Sequence, residues 1–82
     1  MPKYIVYILK SQRTDRYYVG VTTDLYKRLR RHNNGQNVST RLGRPWRLVY
    51  SEEYPDKKLA WSREKQIKRY KSGDAFKNLV VR

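Results

Sequence analysis

Two basic side chains stand four residues apart in a segment with helical periodicity. Leu25 and Leu29 mark its apolar stripe, and His32 continues that stripe seven residues after Leu25. Arg28 precedes His32 by four residues, so in a helix their side chains are neighbours. A guanidinium can clamp a phosphate and an imidazole can move a proton. Either residue by itself is more often a flanking side chain with a solvated tip.

A carboxylate lies on the inward stripe of a second helical segment. Ala60 and Ile67 are seven residues apart on one face, and Glu64 follows Ala60 by four residues. A carboxylate on such a face costs free energy unless it is paired or binds a metal. For Glu64 alone, a salt bridge to one of the many Lys and Arg residues is the simpler interpretation.

Two tyrosines on adjacent predicted strands complete the set of candidate residues. Tyr7 and Tyr18 can share one face, although each alone is more often a core aromatic residue with a satisfied hydroxyl. Together the polar groups fit hydrolysis of a phosphodiester, which needs a base, cationic groups and usually a divalent metal. The base would be a tyrosine or His32. Arg28 would clamp a phosphate, and Glu64 would hold the metal.

The strands that must position these groups are predicted from the pattern of apolar residues and from the content of β-branched and aromatic residues. Lys3 to Lys10 is β-branched and aromatic and is apolar on both faces, which predicts a central strand covered on both sides. Tyr17 to Val21 resumes strand character after a polar turn, so the two segments form a hairpin. Trp46 to Tyr54 is predicted to be a third strand.

Start and stop signals predict three helices. Asp24 and Asp74 are the predicted caps of the first and last helix, and Asn34-Gly35 is the left-handed stop of the first. Ser72-Gly73 closes the second helix. The helices span Leu25 to about Asn33, Lys57 to Lys71, and a short last segment through Phe76 and Leu79. The order β-β-α-β-α-α predicts an α+β fold, with a small, mainly antiparallel sheet of three strands flanked by helices.

Length and charge narrow the class of partner. The 82 residues suffice for one domain, and they carry 20 Lys and Arg against seven Asp and Glu, a net charge of +13. Such a charge repels itself in a compact state and favours a polyanionic partner. Nucleic acid fits, because neutralised phosphates release counterions. An anionic membrane is the rival partner, but no apolar run could span a bilayer and the basic residues are spread over several elements.

Cysteine usage bears on the compartment. The chain contains no Cys, which excludes disulfides and thiolate zinc sites. This composition agrees with a reducing cytoplasm, which is the expected location.

Four segments match one nuclease family in order and spacing. Tyr18-Val19-Gly20 corresponds to a Tyr-Ile-Gly motif, and Ile5-Val6-Tyr7 stands at a Gly-Ile-Tyr motif, with Ile in place of Gly. Val21 to Asn33 matches the family's strand-to-helix segment, and Trp61 to Lys68 matches its helix with a metal-binding Glu. The sequence thus resembles the GIY-YIG nuclease domain family over about Tyr4 to Val80, above all its small stand-alone bacterial members.

The resemblance implies a fold, a metal and a set of roles. The fold is a sandwich of helices around a three-stranded antiparallel sheet, and the cofactor is one Mg²⁺ or Mn²⁺ ion. Six positions carry over by motif: Tyr7 and Tyr18 as catalytic tyrosines, Arg28 as the phosphate clamp, His32 as a helper, Glu64 as the metal ligand and Asn78 as a backbone or water positioner.

The resulting hypothesis is a metal-dependent endonuclease that cuts DNA phosphodiester bonds in repair or recombination. No further segment is present to recognise a base sequence, so specificity is expected from DNA structure or from a protein partner. Phosphate contacts are expected from six basic side chains: Lys27, Arg30, Arg31, Arg41, Arg44 and Lys68.

Two other functions stay open at this point. One is a catalytically inactive module that binds DNA or RNA, and the other is a small ribosome-associated or RNA-coating protein. Charge supports binding and cutting equally. The enzyme is favoured because binding alone does not require a carboxylate that faces a phosphate. The aromatic-rich strands argue for a compact fold and against a basic coating protein.

Overall fold

The secondary structure of the computed structural model follows the predicted order of strands and helices. The structure describes residues 3–70 and 73–80. Its elements are β1 (Tyr4–Ser11), β2 (Tyr17–Thr22), α1 (Leu25–Asn33), β3 (Trp46–Tyr54), α2 (Lys57–Tyr70) and α3 (Asp74–Val80). The predicted α+β class is therefore confirmed. Within the described part of the chain, no helix is long and apolar enough to cross a membrane.

Strand β1 is the centre of a three-stranded antiparallel sheet with the order β2-β1-β3. Its residues Val6 to Leu9 are all 1% exposed or less. Helices therefore cover both faces of this strand, as its continuous apolar sequence predicts.

The two faces of the sheet carry separate clusters of side chains. On the α1 face, Tyr7 and Leu9 pack with Trp46, and Leu25 and Leu29 of α1 cover them. On the other face a second apolar cluster joins β1 to α2 and α3, and its buried members are Val6, Ile8, Ala60, Ile67 and Phe76. Alternation along β1 thus separates Tyr7 from the larger apolar cluster.

Strand β3 contains one extra residue opposite the middle of β1. Two successive residues of β1 pair with Tyr50 and Leu48, so Val49 is the additional residue of a β-bulge. A shift of one residue turns side chains to the other face of a sheet. Trp46 therefore packs in the α1-side cluster, whereas Tyr50 packs in the α2-side cluster.

The ends of α1 form as the sequence predicts. The Asp24 side chain accepts a hydrogen bond of 3.0 Å from the Lys27 amide, which satisfies a free N–H of the first turn. Gly35 has φ +77°, a left-handed conformation that glycine adopts at low cost.

The ends of α2 and α3 differ in part from the prediction. Helix α2 is described as far as Tyr70. Its predicted last residue, Lys71, and Ser72 of the predicted Ser72-Gly73 stop lie outside the described residues. Asp74 lies inside the first turn of α3, so its predicted capping role is wrong. The Gly73 carbonyl accepts the amides of Phe76 and Lys77, which places Gly73 at the cap position.

A paired carboxylate fixes α2 against β3. The Arg63 guanidinium donates to Glu52 through Nε to Oε1 at 2.9 Å and through Nη2 to Oε2 at 3.0 Å. The hydroxyls of Tyr54 and Tyr50 donate to the same carboxylate. Burial tends to raise the pKa of Glu52, but the bonds from Arg63 and the two tyrosines outweigh it and lower the pKa to about 2. The ionised pair ties α2 to β3 at Arg63, the residue that precedes Glu64.

Candidate active site

A buried hydrogen bond between a tyrosine and the histidine forms the centre of the site. Tyr7 Oη lies 3.1 Å from His32 Nε2, and the two residues are 1% and 0% exposed. Tyr7 comes from the central strand and His32 from the last turn of α1. The interpretation of His32 as a flanking residue with a solvated tip is therefore wrong, because the stripe of Leu25 and Leu29 carries it into the interior.

Glycine in β2 makes room for the Tyr7 hydroxyl. Gly20 pairs with Tyr7 across the β1–β2 ladder. A Cβ added at Gly20 would lie 2.6 Å from Tyr7 Oη and 2.8 Å from Cζ, well inside van der Waals contact. Glycine is therefore required at position 20 for steric reasons, because any larger residue would displace the Tyr7 phenol.

Burial and charge set the protonation of the central pair. Burial raises the pKa of Tyr7 above its usual range, and the neighbouring Tyr18 and Glu64 act in the same direction. Arg28 opposes them through its charge and a hydrogen bond. Burial also lowers the pKa of His32, with further lowering by nearby basic side chains. At neutral pH both groups are therefore uncharged.

The remaining predicted catalytic groups surround this pair. The Tyr18 ring lies 4.8 Å from the His32 ring and 6.2 Å from the Tyr7 ring, measured between centroids. Arg28 and Glu64 are half-buried and act electrostatically on the Tyr7 hydroxyl. The structure thus brings together five of the six positions carried over by motif.

Glu64 is engaged by a neighbour on its own helix. Its Oε2 lies 3.2 Å from Lys68 Nζ, and the side chains are 21% and 56% exposed. The salt bridge considered for Glu64 is therefore present. Exposed ion pairs of this kind contribute about 1 kcal/mol or less. The pair leaves Glu64 accessible and only weakly held.

The donor set limits which metal the site can hold. Over residues 3–70 and 73–80, no group of three or more His, Cys, Asp or Glu side chains could enclose a metal ion. Mg²⁺ retains several waters and commonly takes one or two carboxylates together with substrate phosphates. A single accessible carboxylate at Glu64 fits such an ion. A metal enclosed by protein ligands does not fit.

Asn78 makes no described contact with this group. It is exposed on α3, the helix whose Phe76 packs in the α2-side cluster. Among the described contacts, none joins Asn78 to Tyr7 or His32.

The six basic side chains predicted to contact phosphates are all exposed. They occupy α1 (Lys27, Arg30, Arg31), the loop before β3 (Arg41, Arg44) and α2 (Lys68). Arg41 and Arg44 donate through Nε to loop carbonyls at 3.0 and 2.9 Å, so part of each guanidinium serves the loop.

Sequence analysis missed a buried threonine that contacts the histidine. Thr40 Oγ1 lies 2.7 Å from His32 Nδ1, and Thr40 is 2% exposed. The loop between α1 and β3 folds back and is tied to β1 by a hydrogen bond of 2.6 Å from Ser11 Oγ to the Gly43 carbonyl. A polar loop sequence gives no signal for such a contact, since it arises only in the tertiary fold.

An open groove adjoins the catalytic group. It encloses about 630 Å³ and shares Tyr18 and Thr40 with the site. Arg16, Tyr17 and Trp46 also line it. A groove lined by aromatic and basic side chains is suited to nucleic acid.

Comparison with known proteins identifies the family. The model of the GIY-YIG catalytic domain matches residues 3–76. The chain belongs to the GIY-YIG family. The two motifs that name the family contain Tyr7, Tyr18 and Gly20, which lie together in this structure. The resemblance drawn from the sequence is confirmed.

The GIY-YIG chain has bacterial relatives of similar length. A UPF0213 protein of Staphylococcus saprophyticus is 39% identical over 71 residues, with 85% of each chain covered. A UPF0213 protein of Staphylococcus epidermidis is 41% identical over 71 residues, again with 85% of each covered. A UPF0213 protein from Bacillus halodurans, solved by solution NMR, is 34% identical with a TM-score of 0.50, and the match covers 82% of this chain and 71% of that one. Family membership makes this a nuclease-type domain, and none of these names states an activity.

Proposed function

We propose that this GIY-YIG chain is an endonuclease that hydrolyses DNA phosphodiester bonds with one Mg²⁺ or Mn²⁺ ion. The observation that carries the proposal is the buried Tyr7–His32 hydrogen bond, with Arg28 and Glu64 acting on the same hydroxyl. A surface that only binds DNA gains nothing from a carboxylate at this point, because the carboxylate repels phosphate.

The proton of the attacking water has a route through the central pair. Tyr7 is an uncharged phenol at neutral pH, so it can accept a proton only as it gives up its own. In the proposed step one O–H bond of water breaks and a new one forms at Tyr7 Oη. The original Tyr7 proton moves along the hydrogen bond to His32 Nε2, whose oxygen and nitrogen atoms are 3.1 Å apart, and the hydroxide oxygen forms the bond to phosphorus. The leaving oxygen is expelled and protonated by solvent.

Arg28 and Glu64 supply the electrostatic part of the reaction. The planar guanidinium of Arg28 can bind two phosphate oxygens and stabilise charge as it develops. Glu64 would hold the divalent ion, whose contribution is to neutralise charge on the phosphate oxygens. Tyr18, beside the His32 ring, would orient the water or the phosphate.

The proposed substrate is DNA recognised by structure and not by base sequence. The exposed basic side chains lie on α1, on the adjacent loop and on α2, and side chains that contact phosphates carry no base information directly. A role in repair or recombination in the cytoplasm, with a protein partner supplying further specificity, is part of this proposal.

The test uses both halves of the Glu64–Lys68 ion pair. Cleavage of branched, flapped, single-stranded and duplex DNA is measured with Mg²⁺, with Mn²⁺ and with EDTA. We expect Glu64→Gln to abolish metal-dependent cleavage, since a neutral amide is a poor ligand for a hard cation. Lys68→Gln breaks the same ion pair and should retain metal-dependent cleavage at saturating DNA, because the loss of one phosphate contact weakens binding and not the chemical step. Both variants should melt close to wild type, because the Lys68 side of the pair is exposed and water screens the ion pair there.

The ion pair itself favours a second candidate function, a binding module without catalysis. If Glu64 serves only Lys68, the two variants should lose the same small amount of melting temperature, and Glu64→Gln should not change the cleavage rate. An active Glu64→Gln variant would remove the metal-site proposal. Absence of cleavage by the wild-type protein, with retained DNA binding, would support the binding module.

A further inference from the structure

We infer that Thr40 is a positioning residue that holds His32 in the tautomer with hydrogen on Nδ1, so that Nε2 is free to accept the Tyr7 proton. This inference rests on the proposed function for its catalytic consequence. Its structural part, the control of the tautomer, stands on hydrogen bonds alone.

The direction of the bonds follows from counting hydrogens. Thr40 Oγ1 contacts His32 Nδ1 at 2.7 Å and the Asn37 carbonyl at 3.4 Å. A carbonyl can only accept, so Asn37 offers an acceptor for the single hydroxyl hydrogen of Thr40. The oxygen lone pair then accepts from Nδ1–H, and Nε2 is left without hydrogen. Tyr7 Oη donates to that nitrogen at 3.1 Å.

The opposite tautomer of His32 leaves the Tyr7 hydroxyl hydrogen without an acceptor. With hydrogen on Nε2, the imidazole would donate to Tyr7 Oη and accept from Thr40. The Tyr7 hydroxyl hydrogen would then have no acceptor among the described contacts, although Tyr7 is 1% exposed. A buried unsatisfied hydroxyl costs about 1–3 kcal/mol. The arrangement with Nδ1–H is therefore the stable one.

The loop holds Thr40 in place independently of its hydroxyl. The Thr40 carbonyl accepts 2.8 Å from Trp46 Nε1 and 3.1 Å from the Gly43 amide. The Thr40 amide donates 3.2 Å to the Asn37 carbonyl. Replacing the hydroxyl by a methyl group should therefore leave the loop conformation intact and remove only the two side-chain bonds, the one to His32 and the longer one to the Asn37 carbonyl.

The test is a direct measurement of the tautomer. His32 is the single histidine of the chain, so a ¹⁵N-labelled protein gives one pair of imidazole signals and needs no assignment. We expect wild type and Thr40→Ser to show hydrogen on Nδ1. Thr40→Val should show a mixture or hydrogen on Nε2. Cleavage by Thr40→Val should fall about 100-fold, the lower part of what general acid–base catalysis contributes, and Thr40→Ser should restore it.

The outcomes separate this inference from the proposed function. A wild-type spectrum with hydrogen on Nε2 overturns the inference, and this holds even if the Val variant does not fold. A Val variant with wild-type tautomer overturns it as well. A shifted tautomer with an unchanged cleavage rate removes the catalytic consequence. If wild type does not cleave DNA at all, the proposed function fails while the tautomer measurement still decides the role of Thr40.

Discussion

Arg28 acts on both members of the central pair. Its charge lowers the pKa of the Tyr7 hydroxyl and the pKa of the His32 imidazole. In the free protein it therefore weakens His32 as a proton acceptor. A bound phosphate would neutralise the guanidinium and relieve this effect. We expect substrate binding itself to strengthen His32 as the acceptor.

The Arg28 side chain gives the prediction at the scale of a residue. Arg28→Lys keeps the charge but loses the planar two-point contact with a phosphate. We expect a rate about 100-fold lower, similar to the loss of one donor to a developing oxyanion, with little change in DNA affinity. Single-turnover cleavage and equilibrium binding are the measurements. Arg30→Lys is the matched control, since Arg30 is exposed on the same helix. Equal rates for Arg28→Lys and wild type would show that the clamp role is wrong.

The site residues were largely predictable because a motif fixes their types and spacing. Arg28 and His32 share a helix face, which follows from four-residue spacing alone. The contact between His32 and Thr40 was not predictable, since it depends on how a loop of irregular sequence closes. Asn78 is exposed and makes no described contact with the site, so its role stays a prediction.

At the scale of elements, the carboxylates of Glu52 and Glu64 can be compared, because each contacts helix α2 but they differ in their partners. Both carboxylates are half-buried, but Glu52 accepts hydrogen bonds from Arg63 and two tyrosines, whereas among the described contacts Glu64 is paired with Lys68. Glu52 therefore holds β3 to α2, and Glu64 stays available for a ligand.

The lowered pKa of Glu52 predicts a pH dependence of stability. A carboxyl with a depressed folded-state pKa stabilises the fold fully above its ordinary value of 4.5, and this contribution is lost as pH falls towards about 2. At pH 7, Glu52→Gln should cost on the order of 3 kcal/mol, because Arg63 loses its charged partner. Melting curves of wild type and variant should converge between pH 4.5 and about pH 2.

A matched control tests whether this effect belongs to the pair. Glu53 is exposed and paired only with Lys3 at 3.2 Å, so Glu53→Gln should change the melting temperature little at any pH. A constant difference between Glu52→Gln and wild type down to pH 2 would show that ionisation of Glu52 does not stabilise the fold.

Element types were predictable from period and cap signals, whereas the face of each β3 residue was not. Strict alternation would place Trp46, Tyr50 and Glu52 on one side of the sheet. The bulge at Val49 moves Trp46 to the α1 side and leaves the other two on the α2 side. A bulge depends on packing from both faces, so a single strand sequence does not reveal it.

At the scale of the whole molecule, the net charge of +13 predicts strongly salt-dependent DNA binding. Each phosphate contact contributes about 0.9 to the slope of log affinity against log salt. Changing both Arg30 and Arg31 to Gln should therefore reduce the slope by about 2. Changing Lys57 and Lys58 to Gln removes the same charge from the start of α2 and should leave the slope near wild type. Affinity should differ little among scrambled duplexes.

Two results of this titration would contradict the assignment of the α1 surface. One is an equal change of slope in both double variants, which would mean that net charge alone governs binding. The other is strong discrimination among scrambled duplexes, which would require side chains that contact base edges.

The bulge at Val49 has a consequence for how this chain can change in length. A substitution at Val49 alters only local packing, but deleting the residue forces β3 back to strict alternation. Either Trp46 would leave the side of Tyr7, or Glu52 would leave Arg63. The inserted residue therefore lets one strand place Trp46 beside Tyr7 and Glu52 beside Arg63 on opposite faces of the sheet. Homologous chains should vary in length in the exposed turn between β1 and β2, and keep the count of residues in β3.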